Sequence, residues 1–465
     1  MATAFSPQAD FQKGFGTETA PNFRDLAAVD SVAVPAFLTD ESAPDLGAVH
    51  IPADRYISPE IHRREVEEVW KKTWQVACRE EEIPDVGDHF AYNVAGLSFL
   101  IVRTGADAFK AYWNVCMHRG RQLVDQSGKG ACHFKCGYHA WMWNLDGGLK
   151  YFPGKWDFPD VSGKSHDLRE VKIDRWGGFL FINPDPDAGP LADHLGKMPD
   201  HFAFWPLEDR FTVWHLRKRI RANWKVGIEA FLEAYHLAQT HPQALPSVAE
   251  HATQYDVYDE GTAFYSRSMT PCAVPSHHAK NGSPQDAIID MWALLNALRR
   301  DEVEGLPADV HDRASLAAWR RKTLTEMTGA DYSKLPDVMI LDSIQYWLWP
   351  NFCPWLGEGL PLTYLFRPDT DSPDSCYMDV WMLIRRPDNG DPRPAAQLVD
   401  LGPDDHFEPY LGAMGTIFDQ DDENMPKVQD GLKTWPDSVD GCTLGRYQES
   451  RIRFLHRILD RKLGL

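Results

Sequence analysis

The chain has 465 residues, 43% of them hydrophobic and 25% charged, and 48 Lys and Arg stand against 68 Asp and Glu for a formal net charge of −20. That length accommodates two domains, each with its own hydrophobic core, and the acidic balance argues against nucleic acid or an anionic membrane surface as partner. No run reaches the roughly twenty apolar residues needed to span a bilayer, residues 1–30 contain no signal-like apolar stretch, and the eight Cys do not make a disulfide framework, so a cytoplasmic protein with reduced thiols is expected.

Residues 1–55, rich in Ala, Pro and Asp, read as an extended arm with one short helix, of the kind that often packs on a neighbour. Residues 61–78 have helical spacing, with Val66, Val69, Trp70 and Trp74 on one stripe and charges opposite. From 88 to 183 short alternating runs, such as 89–94 and 97–102, are broken by Gly and Asp and predict a small antiparallel β domain. A buried-strand pattern at 177–183 and a Pro-Asp-Pro turn close it, which places a boundary near 186 and gives a domain over 56–185. Residues 186–465 alternate strand-like and helical runs, among them 211–220, 223–240, 283–300, 313–328, 343–349, 377–384 and 446–462. That order predicts an α+β domain in which a sheet wraps a long helix.

Two short segments carry the chemistry of the first domain. Cys116-Met117-His118 and Cys136-Gly137-Tyr138-His139 each offer one thiolate and one imidazole at chelating distance. One Cys and one His from each is the ligand set of a Rieske [2Fe-2S] centre, where two Cys hold one iron and two His the other. Tetrahedral zinc accepts the same residues, but zinc fingers pair Cys with Cys and His with His, whereas each knuckle here mixes the two. Cys132 lies near enough to compete, yet only Cys136 has a His three residues on. Arg119, Arg121, Lys129 and Lys135 reverse the local charge, either as a docking face for an acidic electron donor or as a solvated basic surface.

The second domain has its signal at 223–241. Glu229, Glu233 and His236 fall at i, i+4 and i+7, on one face of a continuous helix. His241 lies off that face, and Pro242 disfavours helical geometry just before itself, so the helix is expected to loosen or end between the two His. Two imidazoles and one carboxylate form the facial triad of a non-haem Fe(II) site. The acidic run 418–425 is the best source of the carboxylate, with most of its other acids expected in a solvated turn.

These segments resemble the C-x-H-R-G and C-x-Y-H-G-W knuckles and the E-x3-(D/E)-x2-H-x4-H helix of Rieske non-haem iron oxygenases. Over about residues 55–465 the chain is similar to their large, alpha subunits of the aromatic ring-hydroxylating type, with Ala140 standing where the family usually has Gly. The resemblance implies a Rieske domain holding its cluster by Cys116, His118, Cys136 and His139. It also implies a helix-grip catalytic domain, 186–465, holding Fe(II) by His236, His241 and Asp421. Asp421 is chosen because the family's third ligand often lies about eight residues before a Gln, here Gln429; Asp422 is the runner-up. Glu233, where many members have Asp, would bridge His236 to His139 of the partner subunit for electron transfer, which implies a ring-shaped homotrimer.

With neither G-x-G-x-x-G nor C-x4-C-x2-C in the chain, NADH electrons would arrive through a separate reductase or ferredoxin, with O2 as co-substrate. A small beta subunit is a further partner in the family. Phe231, Leu232, Trp347, Trp349, Phe352, Trp355 and Ile417 are candidates for an apolar pocket or for ordinary core. The leading expectation is hydroxylation, chiefly dihydroxylation, of an aromatic or polycyclic substrate. Glu at 233 points instead to a monooxygenase of oxidative dealkylation, some members of which act on quaternary ammonium compounds held in an aromatic cage. A redox or zinc-stabilised binding protein without oxygenation is the reading from another class.

Overall fold

A computed structural model describes residues 21–47, 50–161, 163–279, 283–296, 298–387 and 396–465. Strands β1 (Gln75–Arg79), β2 (His89–Val94), β3 (Leu97–Gly105) and β4 (Ala108–Trp113) precede the short β5 (Phe134–Lys135), β6 (Met142–Trp143) and β7 (Leu149–Tyr151). β8 (Glu170–Trp176) and β9 (Phe179–Asn183) complete a six-stranded antiparallel sheet of order β1-β9-β8-β4-β3-β2, while β5-β6-β7 form a sheet of their own. The β2–β3 hairpin closes on Ala95-Gly96 at φ 51° and 76°, both left-handed, as a two-residue turn compatible with strand twist requires.

The second sheet has eight strands: β10 (Arg210–Ile220), β11 (Gln254–Asp259), β12 (Phe264–Thr270), β13 (Ser343–Leu348), β14 (Phe352–Leu356), β15 (Leu362–Pro368), β16 (Cys376–Arg385) and β17 (Leu398–Leu401). Their order is β11-β12-β13-β14-β15-β16-β10-β17, antiparallel except for β10 with β17. The helices that matter below are α1 (Pro59–Glu65), α2 (Trp224–Glu229), α3 (Leu237–Thr240), α4 (Pro284–Leu295), α5 (Arg313–Thr328), α6 (Ala413–Leu432) and α7 (Ser450–Leu463). Alternation along the strands splits the sheet's two faces. Tyr364, Phe366, Met378 and Val380 pack with residues of α2, α6 and α7, whereas Ile344, Tyr346, Leu348 and Leu383 pack with residues of α4 and α5. The first of these clusters also takes in Phe90, Tyr92, Ile101 and Leu180 of the six-stranded sheet, so the two sheets share a core, while Leu100, Val102 and Tyr112 of the six-stranded sheet pack with Phe134, Trp141 and Trp143 in a core of their own.

Two expectations about elements change. Helix α1 starts where Ser58 accepts from the Ile61 amide, passes through one wide turn at Val66–Trp70, and ends well before residue 78. Gln75 donates to the Trp70 carbonyl at 2.8 Å, and Gln75–Arg79 becomes a fully buried strand paired with β9. The described part of the arm, from residue 21, also makes contacts within its own chain: Phe23, Leu26 and Leu38 are buried, and Asp30 accepts from the Asp337 and Val338 amides at 2.8 and 2.9 Å. The helix expected over 223–240 breaks in two at Glu229.

Candidate functional site

The two knuckles sit in the turns between β4 and β5 and between β5 and β6. Cys116 and Cys136 are buried, while Cys132 is exposed. The His118 and His139 rings lie 4.7 Å apart, and the Nδ1 atom of each is buried without a hydrogen-bond partner. Backbone amides are aimed at the sulfurs: those of His118 and Arg119 at Cys116, and that of Tyr138 at Cys136, 3.4 Å away. Trp141 stacks on His118 at 4.8 Å. Burial, followed by the nearby His139 and Arg119, lowers the His118 pKa and favours the neutral imidazole that a metal requires. Two buried thiols and two orphaned imidazole nitrogens fit a [2Fe-2S] ligand set. Ala140, in the place of the family's Gly, adopts φ 59°, the left-handed region that Gly enters without steric cost.

The second group of ligands depends on how α2 ends. Asn223 caps the helix, its side chain accepting from the Lys225 amide at 3.0 Å. After Glu229, side chains from elsewhere capture the backbone: Tyr255 Oη accepts from the Ala234 amide at 2.9 Å, and Gln345 Nε2 donates to the Phe231 carbonyl at 2.7 Å. Residues 230–236 therefore form turns before the single turn of α3. Glu229 consequently does not share a face with His236. It accepts from Tyr56 Oη at 2.9 Å and lies 2.7 Å from His456 Nε2.

The same break brings His236 and His241 together with Asp421. Asp421 Oδ1 lies 3.0 Å from His241 Nε2 and 3.6 Å from His236 Nε2, and the three ligand atoms fall within 4.8 Å of one another. Such separations suit a metal about 2.1 Å from each. The opposite ring nitrogens are held: His236 Nδ1 is 2.6 Å from Glu233 Oε1, and His241 Nδ1 is 2.8 Å from Gln420 Oε1. Because both partners are acceptors, each Nδ1 carries the proton and each Nε2 lone pair is free for a metal. Burial opposes protonation of His236, but Glu233 and Asp421 outweigh it and raise its pKa.

Asp421 lies on α6, and the acidic run forms part of that helix, not a solvated turn. Gln429 fixes the helix register by accepting from the Asn223 amide at 3.0 Å. Asp422 points elsewhere, to Lys218 Nζ at 2.7 Å, and Asp419 accepts from the Phe407 amide at 2.7 Å. Gln420, which the sequence reading passes over, is adjacent to the chosen Asp and could have been found only from the fold. Glu233 binds His236 with both oxygens, its Oε2 accepting from the His236 amide at 3.0 Å.

These side chains open on a cavity of about 600 Å³. Of the apolar candidates, Phe231, Trp355 and Ile417 line it, whereas Leu232, Trp347, Trp349 and Phe352 are core. Phe418, Gln345 and Tyr364 add to the wall, and none of the three stands out in the sequence. No helix among the described residues is long and apolar enough to cross a membrane.

A β domain with two Cys-His knuckles is thus followed by a domain whose helix ends and turns bring two His and one Asp to a cavity, the donor sets of two metal centres. Residues 205–465, more than half the chain, match the ring hydroxylating alpha subunit (catalytic domain), and residues 73–161 match the Rieske [2Fe-2S] domain. The chain belongs to the ring-hydroxylating alpha subunit family, with a Rieske cluster and a mononuclear iron as its cofactors.

Its relatives include the carnitine monooxygenase oxygenase subunit of Escherichia coli (strain K12), 29% identical over 247 residues, 48% of this chain and 66% of that protein. Another is the glycine betaine monooxygenase oxygenase subunit of Chromohalobacter salexigens, 28% identical over 290 residues, 61% of this chain and 62% of that protein. The matches span just under two thirds of these relatives' length. Among solved structures, a quaternary ammonium Rieske monooxygenase studied for carnitine oxidation and inter-subunit electron transfer aligns with a TM-score of 0.62 at 18% identity, over 91% of this chain and 99% of that one. A naphthalene 1,2-dioxygenase mutant bound to phenanthrene aligns at 0.63 and 16%, over 91% and 94%. At these identities the structural likenesses establish the fold alone.

Proposed function

We propose that the chain is the oxygenase component of a Rieske monooxygenase that oxidatively dealkylates a quaternary ammonium compound. The observation that carries an oxygenase site is the convergence of His236, His241 and Asp421 on one apolar cavity. In this reading the three residues hold Fe(II) with positions left for O2 and substrate, and the iron when bound supplies O2 activation. Cys116, His118, Cys136 and His139 hold the electron-carrying cluster. Glu233 orients His236 and, across a subunit boundary, reaches His139 of the partner subunit in a homotrimer. A separate reductase or ferredoxin delivers two electrons from NADH per turnover.

Two sequence relatives named for carnitine and glycine betaine favour a quaternary ammonium substrate over the aromatic ring that was the leading expectation. The cavity is compatible with that choice, since Phe231, Trp355, Tyr364 and Phe418 offer aromatic faces to a methylated cation, and Asp290, Asp301 and Glu408 also lie on its wall. Hydroxylation of a carbon next to nitrogen, with the other oxygen atom reduced to water, is followed by C–N cleavage to a tertiary amine and a carbonyl product. The test is turnover with a reductase and NADH on quaternary ammonium compounds and on naphthalene. Amine and carbonyl formed in step with O2 consumption are expected; a diol from naphthalene, with the ammonium compounds untouched, would overturn the proposal.

A further inference from the structure

Helix α7 carries Arg451 into the centre of the molecule, where it is fully buried. Its partners are all neutral: Nε donates to Ser266 Oγ at 2.9 Å, and one terminal nitrogen donates to Ser268 Oγ at 2.7 Å, Gln345 Oε1 at 2.5 Å and the Leu232 carbonyl at 3.5 Å. The other terminal nitrogen is buried without a partner. Burial lowers the Arg451 pKa to about 10, which leaves it cationic at neutral pH. A guanidinium buried without a carboxylate in direct contact, Asp256 acting on it only at longer range, is costly, and a bound anion nearby relieves that cost.

The hydrogen bonds lead from this charge to the cavity. Arg451 can only donate, so it fixes Gln345 with Oε1 toward itself. Gln345 Nε2 must then donate to the Phe231 carbonyl and to Tyr364 Oη. The Tyr364 oxygen is therefore an acceptor, and its own proton has no acceptor among the described residues. Ser268, Gln345 and Tyr364 all line the cavity, and the Tyr364 ring lies 6.2 Å from Phe418, one turn before Asp421 on α6.

We propose that Tyr364, aligned by Gln345 and Arg451, is the specificity-determining donor of this cavity and takes the carboxylate end of a zwitterionic substrate. The methylated ammonium is thereby directed toward His236, His241 and Asp421, because the Arg451 charge attracts the carboxylate and repels the ammonium. This assignment rests on the quaternary ammonium reading and adds the polarity with which the substrate lies.

Calorimetric titration of the purified holoprotein with four probes separates the two ideas. The probes are glycine betaine, choline, and the carbon isostere of each, in which carbon replaces the ammonium nitrogen. The expected result is that each carboxylate binds about tenfold tighter than its alcohol counterpart. Tyr364→Phe should abolish that preference while keeping the preference for nitrogen over carbon. Equal binding of carboxylate and alcohol, a carboxylate preference that survives Tyr364→Phe, or binding of none of the four overturns the role of Tyr364. A carboxylate preference that is lost in Tyr364→Phe, with no preference for nitrogen, supports that role and contradicts the quaternary ammonium reading instead.

Discussion

His236 is prepared for a metal by what holds its far side. Glu233 Oε1 accepts from the Nδ1–H at 2.6 Å, which leaves Nε2 facing Asp421. His236→Ala should lower mononuclear iron occupancy and turnover by at least about a hundredfold while leaving the visible cluster spectrum intact; iron analysis beside the absorption spectrum decides this, and undiminished turnover would remove His236 from the site. Glu233→Gln keeps a hydrogen-bonding group at nearly the same length but removes the charge. Both centres should stay filled while turnover slows by about ten- to a hundredfold, and an unchanged rate would end the bridging role. Ala140 is strained by its left-handed backbone. Ala140→Gly should therefore raise stability by about 1 kcal/mol in denaturant titration with no change in cluster absorption. A loss of stability would mean that the methyl group packs usefully.

At the scale of elements, the break after α2 creates the site, and the partners that enforce it are far away in sequence. Tyr255 holds the Ala234 amide, and Gln345 holds the Phe231 carbonyl. Tyr255→Phe should cost about 1 kcal/mol and weaken iron retention, as helix propensity regains 230–236; dialysis against a chelator, followed by iron analysis, reads this directly.

The knuckles were legible in the sequence because their ligands are local, two or three residues apart, and the spacing of the chemistry survives any fold. The convergence of His236 and His241 was legible only through Pro242, which marks a helix end beside His241. The face shared by Glu229 and His236 was misread because helical periodicity cannot register a tertiary hydrogen bond that unwinds the helix. Residues 75–78 were misread because strand pairing with β9 overrides a helical stripe. Gln420, Tyr364 and Arg451 carried no signal, since a single polar residue acquires a role only from neighbours that the fold supplies.

At the scale of the whole molecule, two apolar clusters each draw residues from both large sheets, so the cluster domain and the iron domain are held together by core packing. Its acid stability depends in part on Glu250. Burial raises the pKa of this carboxylate, but His251, His278 and Ser276 around it lower it further, from 4.5 to about 2. A carboxylate depressed in the folded state contributes stability that is present above about pH 4.5 and lost as pH falls toward 2. Glu250→Gln should therefore lower stability at neutral pH and flatten the loss across that window in denaturant titrations, whereas parallel curves for the two proteins would exclude the effect. The central claim is that one chain carries a Rieske cluster and a mononuclear iron. Iron and acid-labile sulfide per chain, measured on anaerobically purified protein together with an EPR spectrum after dithionite reduction, test it most directly. About three irons and two sulfides with a Rieske-type signal are expected; zinc without sulfide would contradict the account and leave a metal-stabilised binding protein.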